Sequence, residues 1–332
     1  MKFYKILFFN TLILGTFISI SAYSWMAMWI GLEINLLSFI PLMKSENKFS
    51  SESAFKYFII QALASMMILF SINLNLIFTD SFLNSISFYL INSAFLIKMG
   101  CAPFHFWFIE VIEGLSWLNS LLILTWQKIA PMTLLMYTFF SNYYLMFIII
   151  SSLTVSGFKS WNQTKLKKIL ALSSINHMSW MLSILYLNHS IWLFYFLIYS
   201  FMNLSLILIF LKYNTIYLSQ MFSIMKFNKS SKILFFSNFF SLAGLPPFLG
   251  FFPKWLVIST LMEKNFYLLS LLLIMFTLLM MYIYLNLSFN ALMLNINETK
   301  MKFFTIENNT LFFLNMFNLL GLGFSSLMFI YF

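Results

Sequence analysis

This sequence predicts an all-α polytopic membrane protein, on three observations. Apolar residues make up 61% of the 332 and charged residues only 8%, too few to solvate an ordinary soluble domain or keep a chain disordered. Apolar runs long enough to cross a hydrocarbon core of about 30 Å recur along the whole length. The few charges gather between those runs. One membrane-embedded domain is therefore a simpler account than two or three soluble ones.

The runs place membrane helices near 3–20, 25–43, 54–72, 86–112, 120–140, 143–158, 168–187, 190–211, 233–262, 266–289 and 309–330, about eleven in all. The opening run, MKFYKILFFNTLILGTF, has the length of a signal peptide. It shows no clear small-residue cleavage site and ten further runs follow, so it reads as the first helix. The second run, WMAMWIGLEINLLSFIPLM, carries Glu33 near its middle. The fifth carries Lys128 in LTWQKIAPM, the sixth is short, and the seventh holds His177 in LSSINHMSWML. Ser173, Ser174 and Ser179 surround that histidine and suggest a polar seam.

The fourth and ninth runs exceed the roughly 20 residues a crossing needs, unless they are interrupted. Both contain breakers. The fourth reads LIKMGCAPFHFWF, with Gly100 and Pro103 flanked by Lys98 and His105. The ninth reads SLAGLPPFLGFFPKWL, with Gly244, Pro246, Pro247, Gly250 and Pro253 ahead of Lys254. Proline removes a backbone donor and clashes with the preceding turn, so each run is expected to break. Unwound backbone survives in hydrocarbon only where protein buries it or a polar cavity receives it. A Gly-x-x-Pro string is also an ordinary kink in membrane helices. Five helices separate the two breaks, an odd number, which predicts two inverted repeats, 1–140 and 141–289, followed by a loop and final helix over 290–332. Similarity between the halves is confined to Gly100, Pro103 and Phe104 against Gly244, Pro247 and Phe248.

Lysines fix the expected orientation, because cytoplasmic or matrix-side loops are enriched in them. With the N-terminus inside, the inner loops hold 15 of the 19 lysines, the outer loops hold only Lys264, and the C-terminus falls outside. The remaining three, Lys98, Lys128 and Lys254, lie within apolar runs, as does Glu33.

Composition also excludes several functions. The formal charge of +10 comes from scattered lysines with no arginine, so no phosphate-binding stripe forms and nucleic acid is not an expected partner. The single cysteine, Cys101, rules out a disulfide framework and a cysteine-based metal or iron–sulfur site. His105, His177 and His189 are too dispersed for a metal centre. Neither a dinucleotide fingerprint, a phosphate loop, a haem motif nor a catalytic triad is present. The abundance of Phe, Met, Asn, Ile and Lys without Arg points to an AT-biased, organelle-encoded gene.

A charge inside a membrane helix costs a few kcal/mol and calls for a partner, water or a function. Glu33, Lys98, Lys128 and Lys254 sit in separate helices, a pattern that suits a proton relay. A lysine's hold on its proton weakens on desolvation and strengthens when a carboxylate approaches. Lysines near helix breaks can instead snorkel or form structural ion pairs. His105, with a near-neutral reference pKa, could pass protons or be a satisfied core histidine. Glu110 and Glu113 read as an acidic helix end, His189 as a surface residue in a turn, and the Trp and Tyr residues as interface anchors and packing.

The strings MWIGLEINLLSFIPL, KMGCAPFHFW, WQKIAP, SSINHMSW and GLPPFLGFFPKW, in this order, resemble the antiporter-like membrane-arm subunits of mitochondrial NADH:ubiquinone oxidoreductase, respiratory complex I, in their short insect-like form. The resemblance covers essentially the whole chain. It implies a multi-pass protein of the mitochondrial inner membrane with an eleven-helix, N-in (matrix) arrangement. It further implies that Glu33 and Lys98 form the carboxylate–lysine pair, Lys128 the central-axis lysine and Lys254 the lysine of the second broken helix. His105 would join the hydrated path, with His177 a weaker candidate. Partners would be lipid and the other membrane-arm subunits rather than further copies of this chain. NADH, FMN, iron–sulfur clusters and ubiquinone would belong to other subunits, leaving this chain without a cofactor and without redox chemistry. Ser179 stands where the resemblance leads one to expect glycine. An independent cation/proton antiporter and a purely structural membrane scaffold are the competing readings.

Overall fold

A computed structural model describes residues 3–44, 48–77, 81–138, 142–225, 229–246 and 248–293, together with Asn318, Gly321 and Gly323. Most of the expected final helix, and Pro247, lie outside the described residues. The described chain is helical, with one isolated bridge between Lys165 and Tyr217 outside the helices.

The first three helices are α1 (Phe3–Ser21), α2 (Trp25–Met43) and α3 (Lys48–Ile77). Ser24 caps α2 by accepting the Ala27 N–H at 3.3 Å, as its position before an apolar run favours. The fourth expected span is two helices, α4 (Ser81–Met99) and α5 (Phe106–Gly114). The fifth is also two, α6 (Trp117–Leu124) and α7 (Trp126–Leu135), hinged at Thr125. Sequence reasoning expected that span unbroken over 120–140. At Thr125 the backbone leaves helical geometry (φ −118°, ψ −75°), while its hydroxyl donates to the Leu121 carbonyl at 2.7 Å. Pro131, the sole proline of α6 and α7, lies six residues further on and stays inside α7.

Next come α8 (Asn142–Lys159), α9 (Leu166–Ile184), α10 (His189–Tyr213) and a short α11 (Leu218–Met225). The ninth expected span divides into α12 (Lys229–Ala243) and α13 (Phe251–Glu263), and α14 (Tyr267–Met293) follows. By length and composition, α1, α2, α3, α10 and residues 267–289 of α14 can each cross a membrane on their own.

Two compact units meet at residues 148 and 149. In the first, α1 packs along α2, and α3 lies against α2, α4 and α5, with α7 against α4, α6 and α1. Glycines set the α1–α2 crossing. A Cβ at Gly31 would fall 2.5 Å from the Ser19 amide nitrogen, and one at Gly15 would fall 2.9 Å from that of Asn35. The two backbones therefore touch, the close approach that small residues permit where lipid gives helices no hydrophobic reason to associate.

In the second unit α9 is the hub, packed on α10, α13 and α14. All of its residues except Lys168 are buried. This explains why α9 can carry Ser173, Ser174, Asn176, His177, Ser179 and Ser183: it faces protein, not lipid. The Ser173, Ser174, Ser179 and Ser183 hydroxyls each donate to the carbonyl three residues back, so the serines cost little to bury. Ser179, fully buried, is thereby accommodated without a glycine.

Candidate functional site

Both broken spans end their first half in the same local motif. In the first unit Cys101 N–H donates to the Leu96 carbonyl (3.1 Å) and Gly100 N–H to that of Ile97 (3.0 Å). In the second, Leu245 N–H donates to Phe240 (3.2 Å) and Gly244 N–H to Ser241 (3.0 Å). This is the Schellman closure, and Gly100 (φ +72°) and Gly244 (φ +79°) take the left-handed position it requires. Each motif leaves helix-end carbonyls inside the protein, where the helix dipole is negative.

The two units satisfy those carbonyls differently. In the first, neutral donors serve: Trp107 Nε1 bonds the Ile97 carbonyl and Gln61 Nε2 that of Lys98, each at 3.1 Å. In the second, Lys254 from α13 reaches back, and its Nζ donates to Leu242 (3.1 Å) and Ala243 (2.9 Å). Lys254 is 7% exposed and also lies over the Trp180 ring, 5.9 Å from its centroid.

Lys98, 6% exposed, lines a polar cavity instead. Asn35, Tyr57, Gln61 and Gln127 share that lining. The cavity volume is about 20 Å³, room for one water. Gln127 Nε2 donates to Asn35 Oδ1 at 2.8 Å, joining α7 to α2. Leu32, Asn35 and Leu36 form the α2 side of the cavity, and helical spacing puts Glu33 on the flank of that face. The buried Oε1 of Glu33 accepts no hydrogen bond among the described residues, where the ion pairs are those of Lys56. Among the described residues no ion pair joins Glu33 to Lys98.

Lys128, 1% exposed, follows the Thr125 hinge, and its Nζ lies 5.2 Å from the Phe108 ring centroid. Phe108 in turn covers Gly100, where a Cβ would fall 2.6 Å from that of Phe108. Lys128 is thereby seated on the first break. His105 is buried at the start of α5, with Nδ1 3.1 Å from the Pro103 carbonyl and its ring against Phe106.

His177 is buried in the second unit, with Nδ1 in a 2.9 Å hydrogen bond to the Tyr195 hydroxyl and its ring beside Tyr199. The Ser173, Ser174 and Ser179 hydroxyls all turn back to carbonyls of α9 itself, so it is His177 that links α9 to α10, through Tyr195. Glu110 closes α5 as an exposed partner of Lys56 at 2.8 Å, and His189 is exposed at the start of α10. No cluster of metal-ligating side chains forms among the described residues.

The structure adds Asn35, Tyr57, Gln61, Gln127, Tyr195, Tyr199 and Tyr284 to the residues the sequence singled out. Tyr23 and Tyr143 are surface residues, as anchors should be, but Tyr57, Tyr195, Tyr199 and Tyr284 are buried. Their signal is faint: each is an uncharged polar group in an otherwise apolar run.

Comparison with known proteins gives the chain's family and fold. The family described as NADH:quinone oxidoreductase/Mrp antiporter, TM, matches residues 22–279. The chain is 44% identical over 323 residues to NADH-ubiquinone oxidoreductase chain 2 of Anopheles gambiae, covering 96% of this chain and 94% of that one. It is 42% identical over 299 residues to the protein of the same name from Locusta migratoria, covering 89% and 87%. Its fold is similar to a chain of respiratory complex I from Thermus thermophilus, with a TM-score of 0.85 at 24% identity, over 97% of this chain and 78% of that chain. It is also similar to a chain of the Mrp complex from a Dietzia species, with a TM-score of 0.73 at 14% identity over 83% and 58%.

Proposed function

Because this chain belongs to the NADH:quinone oxidoreductase/Mrp antiporter family, and within it with the NADH-ubiquinone oxidoreductase chain 2 proteins, we propose that Glu33, Lys98, Lys128, His105 and Lys254 carry its part in proton translocation. It is a membrane-arm subunit of the H+-translocating NADH:ubiquinone oxidoreductase of the mitochondrial inner membrane. NADH oxidation and ubiquinone reduction, with their FMN and iron–sulfur clusters, take place in other subunits. This chain's partners are the neighbouring membrane-arm subunits and lipid.

The observation that carries the reading is Lys98 on a polar cavity with room for one water, together with a buried Glu33 oxygen on α2 that accepts no hydrogen bond among the described residues. Closing an ion pair to about 4 Å in a medium of effective dielectric about 20 is worth on the order of 4 kcal/mol. That is roughly three decades in the balance between paired and open arrangements, enough for a two-state switch. Charge displacement originating in the redox subunits would bias the switch, and Lys98, on a cavity rather than tied to helix-end carbonyls, is the partner with room to move. Lys128, seated on the break through Phe108, is the next cation to respond. Lys254 performs the corresponding role at the second break.

Glu33→Gln and Lys98→Met, introduced into the assembled complex, test the reading through protons pumped per NADH oxidised. Both variants should assemble and pump less. Unchanged stoichiometry in both would make the chain a scaffold. Cation/proton exchange by the isolated chain in liposomes would favour an independent antiporter instead.

A further inference from the structure

The expected final helix lies beyond both expected repeats, yet two of its residues reach the second break. Asn318 and Gly321 stand one turn apart on it. The Asn318 carbonyl accepts the Leu249 N–H at 3.3 Å. Gly321 lies so close to Leu249 that a Cβ there would fall 2.4 Å from the Leu249 Cβ. Leu249 immediately precedes Gly250, the N-cap of α13. The Asn318 side chain turns instead to α12 and α10. Its Nδ2 donates to Asn238 Oδ1 and lies 3.3 Å from Ser205 Oγ, which itself donates to Asn238 Oδ1 at 3.0 Å. Asn238 stands one turn before Leu242, whose carbonyl accepts from Lys254. Asn318, Asn238 and Ser205 are all fully buried.

Lys254 and Asn318 thus tie the same two helices across one gap by different chemistry. Lys254 runs from α13 back to the Leu242 and Ala243 carbonyls of α12. Its hold depends on charge, since an ammonium is drawn to the negative end of a helix and a neutral amine far less so. Asn318 joins α12 through its side chain to the entry of α13 through its carbonyl, and an amide does not titrate. The first break has a neutral tie of its own, because Trp107 of α5 donates to the Ile97 carbonyl of α4 at 3.1 Å. There the tie comes from within the broken span, and at the second break it comes from outside.

We propose that Asn318 is a neutral clasp across the second break, keeping α12 and α13 in register when Lys254 leaves its carbonyls. The lysine can then move or change charge while the two halves stay where they are, and its return to Leu242 and Ala243 needs only a side-chain movement. Asn318 is a positioning residue: it takes no proton and acts on Lys254 through the helices it joins. The inference rests on the reading of Lys254 above and adds to it the group that holds the second break while that lysine works.

Hydrogen exchange in the assembled complex, read on peptides covering residues 248–252, tests the clasp separately from pumping. Asn318→Leu keeps the side-chain size and removes the amide, and Ser205 still serves Asn238 Oδ1, so the complex should assemble. Exchange in the segment should rise roughly fivefold, the worth of one buried neutral hydrogen bond, and protons pumped per NADH oxidised should fall. Lys254→Met should leave exchange there near the wild-type rate, because the clasp remains. Adding Asn318→Leu to it should raise exchange by more than the two single effects multiplied. Wild-type exchange in Asn318→Leu would overturn the proposal, as would protection lost as fully in Lys254→Met as in the double variant. Faster exchange with undiminished pumping would reduce Asn318 to structural support and overturn it too. If Asn318→Leu does not assemble, Ser205→Ala withdraws one contact from the same amide, and no rise in exchange there would count against the clasp. Normal pumping in Lys254→Met sinks the reading of Lys254 itself, whereas the exchange rates decide the clasp in either case.

Discussion

Lys98 and Lys254 sit at the same kind of helix end and are held in opposite ways. Neutral donors from Trp107 and Gln61 occupy two carbonyls of the last turn of α4, whereas Lys254 itself bonds two carbonyls of the last turn of α12. Gly244 makes that second arrangement possible. A Cβ there would lie 2.8 Å from Lys254 Cδ and 3.0 Å from Nζ, at a φ of +79°. Gly244→Ala should therefore cost about 1–2 kcal/mol through the left-handed backbone alone and push the ammonium off its carbonyls. The expected result is a lower thermal-inactivation midpoint of the complex together with reduced pumping. Gly157→Ala, whose Cβ would meet only side chains at 3.3 Å and beyond, serves as the control and should change neither. At this scale the sequence revealed the buried charges, because a lysine or glutamate in an apolar run is conspicuous. It did not reveal Asn35, Gln61 and Gln127, since an amide in such a run looks like any tolerated polar residue until its partner on another helix is known. Nor did it separate Tyr195 from a surface anchor: the two differ only in what surrounds the hydroxyl.

Among the elements, the two breaks with Gly and Pro were legible, and the hinge at Thr125 was not. Glycine and proline announce a break by what their backbones can and cannot do. Threonine does so only when its hydroxyl returns to a carbonyl of the previous turn, as Thr125 does to Leu121, and most membrane threonines do that without breaking the helix. The α1–α2 crossing shows a second limit: Gly15 and Gly31 stand in different helices, and nothing in either run says that they meet. Their meeting matters because Gly31 lies two residues before Glu33. Gly31→Ala would place its Cβ 2.5 Å from Ser19 N and 2.8 Å from Ser19 Cα. Backbone atoms cannot swing aside, so α2 must withdraw from α1 and carry Glu33 and Asn35 with it. The expected outcome is overpacking strain of about 1–3 kcal/mol, read as less assembled complex on native gels and weaker pumping in what assembles. Full assembly with unchanged pumping would mean that the crossing does not set the position of Glu33.

Across the whole molecule, the distribution of lysine argues for an N-in orientation, and the helices make that argument testable. Lys48 begins α3 and Lys264 follows α13, and both are exposed. Between them the chain runs through α3, the α4–α5 pair, the α6–α7 pair, α8, α9, α10 and the α12–α13 pair. If each single helix and each broken pair crosses once, that makes seven crossings. α11, eight residues long, is too short to add another. An odd number puts the two lysines on opposite faces, and the excess of lysine in the loops that share the side of Lys48 makes that face the matrix. Single replacements Lys48→Cys and Lys264→Cys can be probed with a membrane-impermeant maleimide, because the one native thiol, Cys101, is fully buried. Lys264→Cys should label in right-side-out mitoplasts, and Lys48→Cys only once the membrane is inverted or opened. Labelling of both from one side would show that one broken pair re-enters rather than crosses. The reverse of the expected pattern would place the lysine-rich loops outside, and with them the whole order of sides along which the proton steps run.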